Sequence, residues 1–407
     1  MIKFIHCADI HLNRPFFRLQ TNKTIQKWLS ESSYNVLDKI AELAVLRKVD
    51  FIVIAGDLLD NLDQTVKAEI RCRNVFEYLD LKGISVFIVG GNHDPINHKR
   101  RHSYPKNVHV FSSSVETVPL KGFNDVYIHG VSYPTEIVKK NLAKDFPQAK
   151  GKIDIGVLHC EIGGNLNSYS PCTKYDLLSK NYQYWSLGHI HKPTVISEFP
   201  AIIYSGSPMG KTPNEIGERG CYYVEATPTS VKKEFCSLAE VIWLQQEIDI
   251  KDLDLSKLVK RIKEGMENLK NEHQKNIIVR TILKGRGKLH NISKADLQDI
   301  VDELRTIFTS TANFVWLESI QKETKPDADL DTIKEQQGFL GDFLNYCEQA
   351  ENDNLLKHEI YDEVNRGNIK LISFLDEQDL NLDQIFEAGL QRAIDEVLEK
   401  GDCHEGN

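Results

Sequence analysis

Five short apolar runs in the first half of this chain each break off into a knot of carboxylate, imidazole or amide side chains, and that pattern limits what the chain can become. The runs are IKFIHCA, FIVIAG, VFIVGG, IGVLH and YWSLG. Each is rich in β-branched or aromatic residues and ends in Gly or a polar residue, as a buried strand does where it gives way to a loop. The knots are Asp9 and His11 in CADIH, Asp57 and Asp60 in AGDLLD, Asn92, His93 and Asp94 in GGNHD, His159 in VLHCE, and His189 and His191 in LGHIH. Side chains at strand ends sit on a rigid frame and still face a cleft, where open α/β sheets place their active sites.

A pair of divalent cations needs a mixed shell of carboxylate, imidazole and amide oxygen drawn from several segments. Taken alone, Asp9 with His11 would pass for a turn after a strand, and Asp60 for a capping or solvated carboxylate. Taken together and in order, the knots read as one two-metal phosphoesterase site. The remaining histidines, His6, His98, His102, His109, His129, His273, His290, His358 and His404, fit no knot and are expected to be structural or surface residues.

The blocks D-x-H, G-D-x-x-D, G-N-H-D/E, H and G-H-x-H, in this order over roughly residues 1 to 210, resemble the calcineurin-like metallophosphoesterase superfamily. The opening IKFIHCADIHL, the variant GNHDP and the small α/β region with a helical tail resemble its SbcD-type DNA repair exonucleases, in particular the YhaO-type branch of Gram-positive bacteria. The fold so implied is an α/β protein, a four-layer α/β/β/α sandwich with a small α/β cap and a helical C-terminal tail. The resemblance implies one cation on Asp9, His11, Asp57 and His191, and a second on Asp57, Asn92, His159 and His189, bridged by Asp57. A shared carboxylate sets two cations about 3.5 to 4 Å apart, with the attacking water activated between them. His93 would stand beside the scissile phosphate without binding metal, stabilising charge or protonating the leaving oxygen. Asp94 would orient His93 by accepting the proton of its other ring nitrogen. Asp60 occupies the place where archaeal and eukaryotic relatives carry a His that assists exonuclease action, and bacterial relatives resemble this chain; it is a candidate support behind the ligands.

Four imidazoles in that set exclude an all-oxygen magnesium or calcium cage, and the absence of thiolate ligands argues against structural zinc. Manganese is the expected activator. Iron, cobalt and zinc stay open.

At 407 residues and 41% hydrophobic, the chain can bury more than one core. The expected division is a phosphoesterase (nuclease) domain over 1–240, an α/β capping domain over 241–322 and an acidic helical partner-binding region over 323–407. The second segment reads as a β-α-β-α-β unit: Leu255, Leu258, Ile262, Met266 and Leu269, then Leu297, Ile300, Val301, Leu304 and Ile307, recur at helical spacing, with the strands NIIVRTIL and NFVWLES after each in turn, and Ser293 with Asp296 marks a helix start. Lys257, Lys260, Arg261 and Lys263 form either a nucleic-acid contact or a solvated face. In the tail, Leu330, Ile333, Leu340, Phe343, Leu344 and Cys347, and again Ile385, Phe386, Leu390, Ile394 and Val397, describe amphipathic helices. These dock on a partner or fold back on their own domain. The resemblance names the partner as an SbcC-like coiled-coil ATPase, and the absence of a G-x-x-x-x-G-K-S/T loop assigns any ATP dependence to that partner.

The net charge of −9 is unevenly placed, at +5 over residues 1–320 and −14 over 321–407. A phosphodiester would therefore meet a mildly basic body, with Lys99, Arg100 and Arg101 as backbone contacts or an ordinary solvated loop. The eight cysteines form no CxxC pair. Cys7 and Cys160 adjoin candidate ligands, yet the pattern fits reduced core thiols in the cytoplasm. No apolar run is long enough to span a membrane. The expected protein is a manganese-dependent DNA nuclease, an exonuclease with endonuclease activity and homodimer formation left open. A phosphomonoesterase or cyclic-nucleotide phosphodiesterase of the same superfamily, or a non-catalytic scaffold for the ATPase, are the alternatives.

Overall fold

The computed structural model describes residues 1–12, 14–16, 23–60, 66–96, 104–163, 169–308, 313–327, 330–335 and 338–353, with scattered residues between 355 and 397. By compactness the chain separates into two units, Met1–Leu244 with Leu269–Val279 and Phe308–Glu318, and Gln245–Asn268 with Arg280–Ile307 and Ser319–Asn407.

All five apolar runs are strands of the first unit. Ile2–Cys7, Phe51–Ala55 and Ser85–Val89 lie side by side and parallel in one six-stranded sheet, with Val108–Val110 at one edge and the antiparallel strands Gly220–Ala226 and Val231–Ser237 at the other. Ile153–His159 and Tyr184–Gly188 are parallel neighbours at the centre of a second six-stranded sheet, flanked by Val126–Val131 and Ala201–Tyr204. Parallel strands tolerate burial on both faces, so each run is apolar throughout instead of alternating.

Residue parity sorts the side chains. Phe4, Phe51, Val53, Phe87 and Val89 face Ile128, Ile155, Val157, Tyr184 and Ile203 in a core between the sheets. Ile5, Ile52, Ile54, Val86 and Ile88 face the other way, against Leu37, Ile40 and Ala44 of helix Lys23–Arg47 and Val75, Phe76 and Leu79 of helix Val66–Leu81. The outer face of the second sheet is covered by Tyr133, Leu142, Phe146, Leu177 and Tyr182, borne on loops, a short 3₁₀ turn and the five-residue helix Lys174–Leu178. The implied four layers are present, and the fourth is thin.

Two of the unassigned histidines serve this core. His6 bridges the sheets, with Nδ1 at 3.0 Å from Tyr184 Oη and Nε2 at 3.2 Å from Leu187 O. His129 lies fully buried between Thr117 Oγ1 (2.9 Å) and Asp154 Oδ1 (2.7 Å). His98, His102, His358 and His404 fall outside the described residues.

The second segment forms the expected β-α-β-α-β order, with strands Val241–Asp249, Asn276–Arg286 and Val315–Lys325 in a three-stranded sheet and helices Leu255–His273 and Lys294–Phe308 between them. Leu258, Ile262 and Met266 of the first helix and Leu297, Ile300, Val301 and Leu304 of the second are buried, while Leu255 and Ile307 are exposed. Ser293 Oγ accepts from Asp296 N at 3.1 Å, the expected cap. Lys257, Lys260, Arg261 and Lys263 are exposed, and Lys257 and Lys260 pair with Asp254 and Glu264 of the same stretch. In the tail, Leu330–Glu335 and Phe339–Asn352 are helices; Leu344 and Cys347 are buried and Phe339 and Tyr346 exposed. Ile385 lies outside the described residues. The seven described cysteines are free thiols, and among the described residues no helix is long and apolar enough to cross a membrane.

Candidate metal centre

The loops after three of the five strands are strained where their polar side chains matter. Asp9, His11, Asp57 and His189 have φ of 51°, 45°, 53° and 100°. Such a conformation costs a residue other than glycine on the order of 1–3 kcal/mol and persists only when its surroundings hold it. Here the main chain does so. Asp9 N donates to Gly56 O at 3.0 Å, His11 N to Asp57 O at 2.9 Å, and His189 N to both carboxylate oxygens of Asp9 at 3.1 Å.

Glycine is required beside these residues. At Gly56, where φ is 97°, a Cβ would fall 2.2 Å from His159 Nδ1, and at Gly91 it would fall 2.3 Å from Asp57 Oδ1. The loops therefore approach more closely than any side chain would allow, which accounts for the Gly that opens GD and GN.

The strand ends gather the ligand atoms at one place. Asp9, His11 and His191 form one group able to hold a cation, Asp9, Asp57 and His159 a second, and His11, Asp57 and His93 a third, with the ligand atoms of each group within 4.8 Å of one another. His159 shows why a cation fits. Its Nδ1 lies 3.0 Å from Ala55 O, which can only accept, so Nδ1 carries the proton and Nε2 is a lone pair. That lone pair faces Asn92 Oδ1 at 2.9 Å and Asp57 Oδ2 at 3.5 Å. Three acceptors converge with no proton among them, and a cation relieves the conflict. The ring of His189 lies edge-on to His159, centroids 5.3 Å apart, and stands outside the three groups.

The electrostatics point the same way. Burial pushes Asp9 up to about 6 and Asp94 up to about 7, and pulls His189 down to about 3 and His11 well below the usual imidazole range. A positive ion offsets the burial of the carboxylates and is ligated by neutral imidazoles.

Asp94 is placed otherwise than expected. Asp94 does not orient His93: its oxygens accept the main-chain amides of Gly91 (2.7 Å), Asp57 (3.1 Å) and Leu59 (3.2 Å), so it knits the two loops together. The carboxylate beside His93 is Asp60, with Oδ2 at 3.4 Å from His93 Nδ1, and this contact outweighs burial to hold the ring's pKa above the usual range. The same oxygen lies 3.7 Å from His11 Nδ1 and 3.8 Å from Arg14 Nε. Lys99, Arg100 and Arg101 fall outside the described residues. Cys7 and Cys160 are buried, and burial pushes both thiols up, away from reactivity.

Three residues escaped the sequence reading. Glu215 Oε1 lies 2.7 Å from His191 Nδ1; Lys211 Nζ donates to His11 O at 2.5 Å; Arg219 donates to His191 O. Burial alone would raise the Glu215 carboxyl, but the His191 bond holds it down at about 2, and the same bond keeps His191 above its ordinary value. The sequence carried no signal for them: the segment after YSGSP reads as a polar turn, and nothing in it points to a histidine twenty-odd residues earlier.

Fold and site together define a metal-dependent phosphoesterase. Residues 2–193 match the family model of the calcineurin-like phosphoesterases, and residues 243–325 that of the middle domain of the metallophosphoesterase YhaO. The chain belongs to the calcineurin-like metallophosphoesterases, a family that uses a two-metal centre. It is similar to the uncharacterized metallophosphoesterase YhaO of Bacillus subtilis (strain 168), 30% identical over 376 residues, which cover 88% of this chain and 91% of that one. It is also similar to the DNA double-strand break repair protein Mre11 of Sulfurisphaera tokodaii, at 24% identity with 73% and 77% covered. A component of the SbcCD nuclease of Staphylococcus saprophyticus is 26% identical, with 68% of this chain and 80% of that one covered.

Proposed function

We propose that this chain is a two-metal-dependent DNA nuclease, an exonuclease in the first instance, that serves double-strand break repair in the cytoplasm together with an SbcC-like ATPase. The observation that carries the reading is the meeting of unprotonated lone pairs at Asp57, Asn92 and His159, with Asp9, His11 and His191 beside them. The substrate half draws on the relatives, two of which are named for double-strand break repair and for a nuclease.

In this reading Asp9, His11, Asp57 and His191 would hold one cation, and Asp57, Asn92, His159 and His189 the other, with Asp57 common to both sets. Manganese suits the mixed imidazole and oxygen donors. When bound, the pair supplies Lewis-acid polarisation of a phosphoryl oxygen and a nucleophile at neutral pH. His93, partly exposed at the rim and kept readily protonated by Asp60, donates a proton to the leaving oxygen. Asp94 keeps the loops of Asp57 and Asn92 at their close approach. The segments 1–240, 241–322 and 323–407 divide the work into hydrolysis, substrate restriction and partner docking, with Lys99, Arg100 and Arg101 as DNA contacts. Exposed Phe339, Tyr346 and Leu355 give the tail an apolar surface for the ATPase.

The test is incubation of the purified chain and its Asp57→Ala variant with manganese, end-labelled linear duplex, circular single strand and a small phosphodiester. Degradation of linear DNA by the wild type alone is expected. Cleavage of the small ester with DNA left intact, even after addition of an SbcC-like ATPase, replaces the nuclease reading with a small-ester phosphodiesterase.

A further inference from the structure

His191 is aimed by a carboxylate 24 positions further along the chain, at 2.7 Å from its Nδ1. The two oxygens of Glu215 have separate tasks. Oε2 accepts the amides of Lys211 and Thr212 at 2.8 Å each and the Thr212 hydroxyl at 3.0 Å, which closes the turn between residues 211 and 215. That bonding is complete without the histidine. Oε1 is spent on His191 alone among the bonds of the described residues.

An ionised carboxylate only accepts, so the proton of the neutral ring sits on Nδ1 and Nε2 is left as a lone pair. Nε2 then points at His11 Nε2, 3.3 Å away, within the group that also contains Asp9. The same short segment grips the main chain of both histidines, Lys211 through His11 O and Arg219 through His191 O. Two imidazole rings are thereby presented to one point from two distant loops.

We propose that Glu215 is a positioning residue of the metal centre, fixing His191 in the tautomer that presents Nε2 to the cation shared with Asp9 and His11. This rests on the two-metal reading above. A histidine ligand whose other ring nitrogen donates to a carboxylate is both oriented and made more basic, and loss of such a partner costs about 10–100-fold in metal affinity. Glu215→Gln tests it, because an amide either offers its N–H to Nδ1, which reverses the tautomer, or turns that N–H against the donors of Lys211 and Thr212.

Manganese binding is measured by the loss of the free-ion electron paramagnetic resonance signal, for wild type and Glu215→Gln, and cobalt binding by visible absorption. Two sites are expected in the wild type. In the variant one weakens by about 10–100-fold while the other is kept, and the cobalt spectrum changes. Two sites of wild-type affinity and spectrum in the variant overturn the role of Glu215 and leave the two-metal reading intact. No binding by the wild type overturns both. Should the variant not fold, nitrogen-15 spectra of the metal-free wild type, with the His191 signals identified through His191→Gln, decide the matter: an Nδ1–H tautomer supports the proposal and an Nε2–H tautomer overturns it.

Discussion

The two halves of the metal centre are held by different materials. Around His159 the ring is held by main chain, through Ala55 O, while the Asp94 carboxylate ties the flanking loops through three amides. Around His191 the support is side chain, from Glu215, Lys211 and Arg219. A carbonyl cannot be substituted, so the ring of His159 is disturbed only indirectly, through a neighbour such as a glycine that gains a Cβ or the Asp94 that ties its loops. The second half can be altered one side chain at a time, and with it the affinity of a single cation.

The largest disturbance removes what the halves share. Asp57→Ala should bind neither cation and fall to background on a small phosphodiester, measured by manganese stoichiometry and steady-state hydrolysis. Retention of one tightly bound cation would show that the halves are independent and that Asp57 is not the bridge. His93→Ala should lose about 10²–10⁴-fold in turnover with both cations kept, the signature of a proton donor outside the shell. Loss of metal there would move His93 into the third candidate group, with His11 and Asp57, as a ligand.

Gly56→Ala sharpens the contrast from the main-chain side. The new methyl would stand 2.2 Å from His159 Nδ1 and 2.8 Å from its Cγ. Metal affinity should fall at least as far as in Glu215→Gln, and the site lost should be the one that variant keeps. If both variants weaken the same site in competition titrations, the two supports do not act on separate cations.

Asp60→Asn should have the smallest effect. The Asp60 bond raises the His93 pKa, so its loss lowers it. His93 acts while protonated, that is, below its pKa, so the alkaline limb of the rate profile should move to lower pH while the plateau rate changes little. An unmoved limb would mean that another group sets it.

The residues that gather at the candidate site were legible in one sequence because their knots come just after both-faces-buried parallel strands, where a polar residue has no packing reason to be. The apolar runs identified Ile2–Cys7, Phe51–Ala55, Ser85–Val89, Ile153–His159 and Tyr184–Gly188 for the same reason. The roles of Asp94 and Asp60 were not legible. Both are acidic residues close to His93, and which one faces its ring depends on where the amides of Gly91, Asp57 and Leu59 point. Nor was Glu215, whose partner is far away in the chain and whose own neighbourhood reads as a simple turn.

Residue type and spacing by themselves decided the fold class, the strand ends that carry ligands and the mixed donor set suited to a pair of cations. Only the tertiary structure decided which nitrogen of His159 and of His191 is free, which carboxylate serves which histidine, and why a side chain holds the ring of His191 where a carbonyl holds that of His159. The physical reason is that strand pattern and ligand identity are local properties of the chain, whereas a tautomer is set by the atom that happens to lie within about 3 Å of the other ring nitrogen, and long-range packing puts that atom there.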